Sequence, residues 1–558
     1  MKVAMKFQIL KLLRSLKILA TPCLVFLTFS CQTGLNTSQK IQNVKIVQNR
    51  QEMPNTVIQL SQQPSEPKKV VSVKDFGAVG DGIQDDTSAI QKAIDDVHKA
   101  GGGVVNFPSG IYKVTIKPNT AHAITIRPQL ILQGNSNKKS VIKLASEQGN
   151  YSSILAGEKP DSDLSNFAMY DLAIDGNSSN NPVNSESDFN PEKLIMRHAV
   201  RIYIGKNINI ERCRFTNLNS RNVITVNGNT APFQVSVSDV LIKNNIFELI
   251  SGGNVDYDHS TIYTHGKRIQ IRNNYFSSKD GAGTKGARTA IETHGDEHTV
   301  KENEITGFAN GIYVTGYASS SNNLLITDNV IKNAHNGIKI WSYFSDGNTT
   351  NPAISNATVA NNKISLNIDG WRDLWGNSAS VGIGLEPNSD APIKNLSILN
   401  NEISFTNFSG NGREIDNLAS GIRMWRYAFP NINNENIRIE GNKITQSLAS
   451  GIYISMLINK GEISQNNIVN TGQSNGNFHP AYKAGIIIDG VWKDVNLNSN
   501  LLEDNQTINT MKEGIISSVI CKNICKVSGN KLQVNSNKNL QIFRQTSQQA
   551  NNNFQISN

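Results

Sequence analysis

One five-residue phrase returns seven times between residues 290 and 489: a small residue, Ile, a variable residue, a mostly apolar residue, and a second variable residue. The copies are Ala290-Ile291-Glu292-Thr293-His294, Gly311-Ile312-Tyr313-Val314-Thr315, Gly337-Ile338-Lys339-Ile340-Trp341, Gly382-Ile383-Gly384-Leu385-Glu386, Gly421-Ile422-Arg423-Met424-Trp425, Gly451-Ile452-Tyr453-Ile454-Ser455 and Gly485-Ile486-Ile487-Ile488-Asp489. Each reads as a short strand of period two, with Ile and its partner on one side. So short a strand cannot bury its apolar side alone. The copies must stack into a solenoid with a constant inner wall and a variable outer face. Function is to be sought on that outer face.

A second phrase, close to Asn-x-Ile, falls between the copies. It appears as Asn303-Glu304-Ile305, Asn329-Val330-Ile331, Asn362-Lys363-Ile364, Asn401-Glu402-Ile403, Asn442-Lys443-Ile444 and Asn467-Ile468-Val469. Asn tolerates a left-handed backbone and bonds its own turn, which suits a corner repeated in every coil. Stacked Asn amides also bond along the solenoid axis. Strand and corner in alternation, without a helical period, predict an all-β parallel β-helix. A propeller would show an even repeat of roughly 40 to 45 residues. Here Ile291 and Ile312 lie 21 residues apart, and Ile338 and Ile383 lie 45 apart. Loops that bulge from one corner of a β-helix explain the unevenness.

At 558 residues the chain would ordinarily divide into several domains, but a solenoid escapes that count. The first 30 residues read as an export signal. Lys2, Lys6, Lys11, Arg14 and Lys17 precede an apolar run from Ile18 to Phe29, which is too short to favour a membrane span. Ser30-Cys31 follows, resembling a bacterial lipoprotein signal in which Cys31 is lipidated, although Thr28 stands where Leu is usual. Lipidation and ordinary cleavage both lead to export, to the periplasm, the outer membrane or the exterior. A lipid on Cys31 would be the chain's contact with a membrane. Without those five basic residues the net charge falls from +9 to +4, and no basic cluster with interleaved aromatics remains. That speaks against nucleic acid and leans toward acidic glycans. Residues 31–68 are rich in Gln, Ser and Asn and read as a flexible tether. The β-helix domain is expected over 69–545, with a disordered tail over 546–558. Cys213 is expected to be buried packing. Cys521 and Cys525 can pair in an oxidising compartment, and no metal site of Cys or His spacing is found.

At the entrance, Val71-Ser72-Val73 reads as a strand, and Ala89, Ile90, Ala93, Ile94 and Val97 form an apolar helical stripe ended by Gly101-Gly102-Gly103. Ser88 and Gln91 fit a capping box. An amphipathic helix here would cover the open end of the solenoid. Asp75-Phe76-Gly77-Ala78-Val79-Gly80-Asp81-Gly82, then Asp85-Asp86-Thr87-Ser88-Ala89-Ile90, then Phe107-Pro108-Ser109-Gly110-Ile111-Tyr112, resembles the opening of the pectate-lyase-like superfamily. The resemblance implies a right-handed parallel β-helix with an N-terminal capping helix, and a carbohydrate partner. That group includes polygalacturonases, lyases, uronan epimerases and tailspike depolymerases, so it does not fix the reaction. The Asn-Thr-Asp, Asp-Asp and Gly-His-Gly motifs of polygalacturonases are absent from the equivalent strands. Asp256-Tyr257-Asp258-His259 resembles the epimerase Asp-Pro-His without its proline.

Aligning the repeats gives two outward columns. The first runs Thr225, Tyr263, Glu292, Tyr313, Lys339, Gly384, Arg423, Tyr453, Ile487; the second runs Asn227, His265, His294, Thr315, Trp341, Glu386, Trp425, Ser455, Asp489. Ordinary solenoid faces carry Thr, Ser, Asn and Lys. This one carries carboxylates, imidazoles, cations, phenols and indoles, which suits a ligand groove. Glu292, His294, His265, Glu386, Arg423, Lys339 and Tyr313 are the catalytic candidates. Trp341, Trp425, Trp371 and Asp489 are the substrate-binding candidates. Trp371 lies in Trp371-Arg372-Asp373-Leu374-Trp375 and reads as a groove wall, or else a hydrophobic plug. Asp296 and Glu297 offer a Ca²⁺ site or plain corner charges.

Two chemistries follow. In a lyase or epimerase, Arg423 or Lys339 neutralises a uronate while His294 or Tyr313 takes the C5 proton. In a hydrolase, Glu292 and Glu386 act as an acid and base pair, provided they lie within the roughly 6.5–9.5 Å that an inverting pair requires. The alternative from a different class is a non-catalytic glycan-binding or surface structural β-helix.

Overall fold

The computed structural model describes residues 69–557 except 118–120, 136–138, 185–195, 228, 231–233, 236, 253–258, 279–280, 282–285, 316–320, 342–353, 373–377, 387–391, 410–415, 417, 426–432, 476–481, 508–509, 536–541 and 547–553. The export signal, Cys31 and the tether lie outside the described residues, as do Asp256 to Asp258. Residues from Val70 onward wind as a right-handed parallel β-helix of three ladders, in which every coil adds one rung to each. Pairing between coils is parallel throughout, from Val70–Ser72 on Gly103–Asn106 to Cys525–Ser528 on Phe554–Ser557.

The repeated phrase forms the first ladder. Ile291, Ile312, Ile338, Ile383, Ile422, Ile452 and Ile486 lie in register and are fully buried. The alternating runs before each Asn, such as Ser321–Thr327 and Glu435–Glu440, form the second ladder. Ile305, Ile331, Ile364, Ile403, Ile444 and Ile468 line the third from within. The connections from first to second ladder vary from none, within the continuous strand Ser260–Arg272, to twelve residues, 342–353, yet the pairing on either side keeps its register.

The Asn residues form one buried ladder between the second and third faces. The Nδ2 of Asn274 donates to the Oδ1 of Asn303 at 3.0 Å, and the same bond links Asn303 to Asn329, Asn329 to Asn362, Asn362 to Asn401 and Asn401 to Asn442 at 2.9 Å. Two details differ from the sequence reading. The ladder member after Asn442 is Asn466, not Asn467, whose backbone pairs one position later with Lys443. The left-handed backbone falls on the residue before each rung, at Asn273, Glu302, Asp328, Asn361 and Asn400, while the ladder Asn itself is spent on bonds between coils.

Helix α1, Thr87–Lys99, buries Ile90, Ala93, Ile94 and Val97 against the first coil as expected. Its start is not a capping box on Ser88. Asp86 occupies the cap position, and its carboxylate turns back to the Val79 and Gly80 N–H groups at 2.6 and 3.0 Å. Gln91 bonds both backbone groups of Thr125, so it is unavailable to a cap. At the other end, Phe554–Ser557 is a strand paired with the coil above, so the expected disordered tail contains a further rung. Cys213 is buried, and Cys521 and Cys525 form a disulfide.

Candidate functional site

The outward columns of the first ladder are positioned by alternation. Ile291 and Thr293 face inward, so Glu292 and His294 face outward from Thr289–Asp296. The corner after them demands glycine. Gly295 has φ +109°, and a Cβ there would stand 2.0 Å from the carbonyl oxygen of Gly266 on the coil before. That pair of glycines follows His265 and His294, which pair in register on successive coils. The register confirms the first column from Thr225 through Tyr263, Glu292, Tyr313, Lys339, Gly384, Arg423 and Tyr453 to Ile487.

Three clusters occupy this face. In the first, the His294 Nε2 lies 3.2 Å from Glu292 Oε1, and the Ser260 hydroxyl donates to Glu292 Oε2. Burial pushes the Glu292 carboxyl up, but the His294 bond and charge, the Ser260 hydroxyl and the Arg288 charge outweigh it and hold the group below its usual value. An ionised carboxylate only accepts, so Nε2 carries the proton that points at Glu292. In the neutral ring the lone pair then sits on Nδ1, which is buried and has no hydrogen-bond partner. The His265 ring stacks on His294 with centroids 5.4 Å apart, and the Tyr263 ring lies 4.9 Å away. Burial, then the charges of His294 and His298, push His265 down to about 3. Beneath them His298 donates from Nε2 to the Gly266 carbonyl at 3.0 Å and takes the Thr293 hydroxyl on Nδ1.

The second cluster is aromatic. Tyr313 and Trp341 stack with centroids 6.1 Å apart and planes 9° from parallel, and Lys339 Nζ sits 5.9 Å from the Tyr313 ring centre. The third is ionic. Gly384 has no side chain, and that gap in the first column lets Glu386 reach both neighbours. Glu386 lies 3.3 Å from Lys339 Nζ and pairs closely with Arg423. Burial raises its carboxyl, but the charges of Lys339 and Arg423 and their hydrogen bonds outweigh that and hold it below the usual range. The Arg423 guanidinium also lies 5.5 Å from the Trp425 ring centre.

Several sequence assignments change here. Trp371 is no groove wall. It is fully buried, and its Nε1 donates to the Asn333 carbonyl at 2.9 Å, so it is the hydrophobic plug. Glu292 and Glu386 are three rungs apart, about 14 Å at about 4.8 Å per rung, which is too far for the pair a hydrolase needs. Lys339 and Arg423 are not idle cations, because Glu386 already answers both. Asp296 accepts from Asn322, and Glu297 pairs with Lys267 at 3.1 Å, so both corner charges have protein partners. Among the described residues no group of three metal-ligating side chains occurs. Asp489 accepts from Ser455 and Ser518 at 3.2 and 2.7 Å, two rungs beyond Trp425. Sequence reasoning missed Ser260, which sits at the corner before the two columns, at a position the alternation did not read. A concavity of 520 Å³ on the second face, lined by Arg438, Lys460, Glu462 and Lys526, holds no imidazole or aromatic group and is not the centre of this chemistry.

Over 110 residues the chain is 41% identical to mannuronan C5-epimerase AlgE6 of Azotobacter vinelandii, which covers 20% of this chain and 13% of that protein. It is 40% identical to alginate lyase 7 of the same organism, again over 110 residues, 20% of this chain and 13% of the relative. The chain therefore spans only about an eighth of the length of these relatives. A tailspike protein mutant of E. coli bacteriophage HK620, solved with a pentasaccharide, superposes with a TM-score of 0.62 at 16% identity, covering 83% of this chain and 78% of the tailspike. That likeness is one of fold. The model of the rhamnogalacturonase A/epimerase, pectate lyase-like family matches residues 70–383, more than half of the sequence, and the chain belongs to that family.

Proposed function

We propose that this protein acts on a uronate-containing polysaccharide by abstracting the C5 proton, as a lyase or an epimerase, on the outer face of the first ladder. The observation that carries this is the Glu292–His294 dyad, with one imidazole nitrogen held by a carboxylate and the other buried without a hydrogen-bond partner. Glu292 fixes the ring and stabilises the imidazolium that forms when Nδ1 takes the proton, a step that requires the polymer to uncover this buried nitrogen as it binds. Tyr313, in register with Glu292 on the next coil, supplies the opposing proton donor. Lys339, one rung further, shares its charge between Glu386 and the uronate carboxylate. In a lyase the C5 electron pair forms the C4–C5 double bond, and the C4–O bond breaks with its electrons leaving on oxygen. In an epimerase a proton returns to C5 from the other face. The names of the alginate-directed relatives support the acidic substrate, and the separation of Glu292 from Glu386 weighs against hydrolysis by that pair. Trp341 and Trp425 serve as platforms for sugar rings. The amino-terminal pattern ending at Cys31 supports export, with the activity outside the cytoplasm.

The test is turnover of uronate polymers, read three ways: absorbance of unsaturated uronate, new reducing ends, and C5 configuration by NMR. His294→Gln is expected to lower turnover about 10²- to 10⁴-fold, the usual contribution of a general base, while binding persists. Binding with no turnover by any readout would instead identify a glycan-binding protein. Reducing ends without absorbance would restore a hydrolase.

A further inference from the structure

Two arginines on the first ladder are equally buried, each 5% exposed, yet they are treated differently. Arg423 has the Glu386 carboxylate. Arg201 has a hydroxyl and a ring: it donates to Ser152 Oγ and lies 5.4 Å from the Tyr203 ring centre. Among the described residues no carboxylate comes within ion-pair distance of it. A buried guanidinium without a counter-charge is strongly unfavourable, so its retention calls for an anion that arrives from outside. Burial lowers the Arg201 pKa, opposed by Tyr203, as expected for a cation kept from its counter-ion.

The position is equally specific. Arg201 pairs in register with Thr225 on one side and Ala156 on the other, and the same column continues through Tyr263 to Glu292. Its neighbours along the column, Thr225 and Ala156, are both small. It lies three rungs, about 14 Å, from the Glu292–His294 dyad. Ser152 and Tyr203 fix its plane, which presents the remaining N–H groups as a preset fork, the geometry that matches a carboxylate with two parallel bonds.

We propose that Arg201 is a carboxylate-binding subsite of this face, holding a uronate that lies along the polymer from the one that reacts. The proposal rests on the uronate reading given above. It makes the face selective for runs of acidic sugars over isolated ones, because the two positions are engaged together only by a chain that spans three rungs.

The test uses the full chain and calorimetric binding of oligomannuronate and oligogalacturonate. Each is offered as a long oligomer, as a disaccharide, and as the long oligomer with its carboxyls reduced to alcohols. Arg201→Gln is expected to weaken long acidic oligomers about ten- to hundred-fold, as loss of a charged hydrogen-bonded pair does, and to leave the disaccharides and reduced oligomers unchanged. Thr225→Glu places a carboxylate beside Arg201 and is expected to weaken the long oligomers to a similar extent while holding or raising the melting temperature. Thr225→Gln, of matched size, is expected to track the parent. Should Arg201→Gln fail to fold, the Thr225 pair decides. Acidic oligomers that bind the parent and both charge-altering variants alike would overturn the subsite and leave the uronate reading intact. A parent that binds no acidic oligomer overturns both.

Discussion

Two tryptophans that look alike in the sequence do opposite work. Trp371 belongs to the buried core and spends its indole N–H on a backbone carbonyl, whereas Trp341 lies half-buried on the outer face against Tyr313. Trp371→Ala is expected to cost about 3–5 kcal/mol of stability in chemical denaturation. Trp341→Ala is expected to leave the unfolding midpoint nearly unmoved and to weaken oligosaccharide binding by roughly 0.5–1.5 kcal/mol, read by calorimetry. Equal losses of stability in the two variants would refute the division. The difference could not be read from the sequence, because Trp371 belongs to an insertion with no period. Glu292, His294, Tyr313 and Trp341 were legible as one face because period two alone decides which way a strand residue points. The bonds among them were not. That Glu386 answers both Lys339 and Arg423 depends on reach across the gap left by Gly384, and alternation carries no distances.

Among the elements, the Asn ladder is where register is enforced. The Oδ1 of Asn362 accepts both the backbone N–H and the Nδ2 of Asn329, while its own Nδ2 serves Ile326 and Asn401. Asn362→Leu would strand two buried donors at ~1–3 kcal/mol each. In a stack whose coils touch only their neighbours, the loss should be local. Hydrogen exchange is expected to quicken in the strands Val330–Ala334 and Lys363–Asn367 and to stay slow near α1, and uniform acceleration would show that the stack opens as one unit. The existence of this ladder was visible as a recurring phrase. Its phase was visible only where one Asn stood alone. At Asn466-Asn467 two candidates are adjacent, and which of them turns inward is settled by the coils on either side.

At the scale of the whole molecule, buried imidazoles tie stability to pH. Burial holds His198, His259 and His265 near about 3 and His298 near about 4, all well below the 6.5 of an exposed ring. Between pH 6.5 and about 4 the unfolded chain therefore binds more protons than the folded one, so stability rises with pH across that window and falls as acid is added. Urea unfolding at pH 7 and pH 5 is expected to show a lower midpoint at pH 5, well before the carboxylates begin to titrate. A flat profile would mean that these rings are reached by solvent in the native state. The connections between the first and second ladders add a consequence of another kind. Their length runs from none to twelve residues with no change in pairing, and lengthening a loop costs only ~0.6 kcal/mol per doubling. In the chain each one follows directly on a strand of the first ladder, the ladder that carries Glu292, Lys339 and Trp341. Such segments are exchangeable cassettes. A lineage can rewrite what borders the groove, one coil at a time, by insertion and deletion, and inherit the scaffold beneath unchanged.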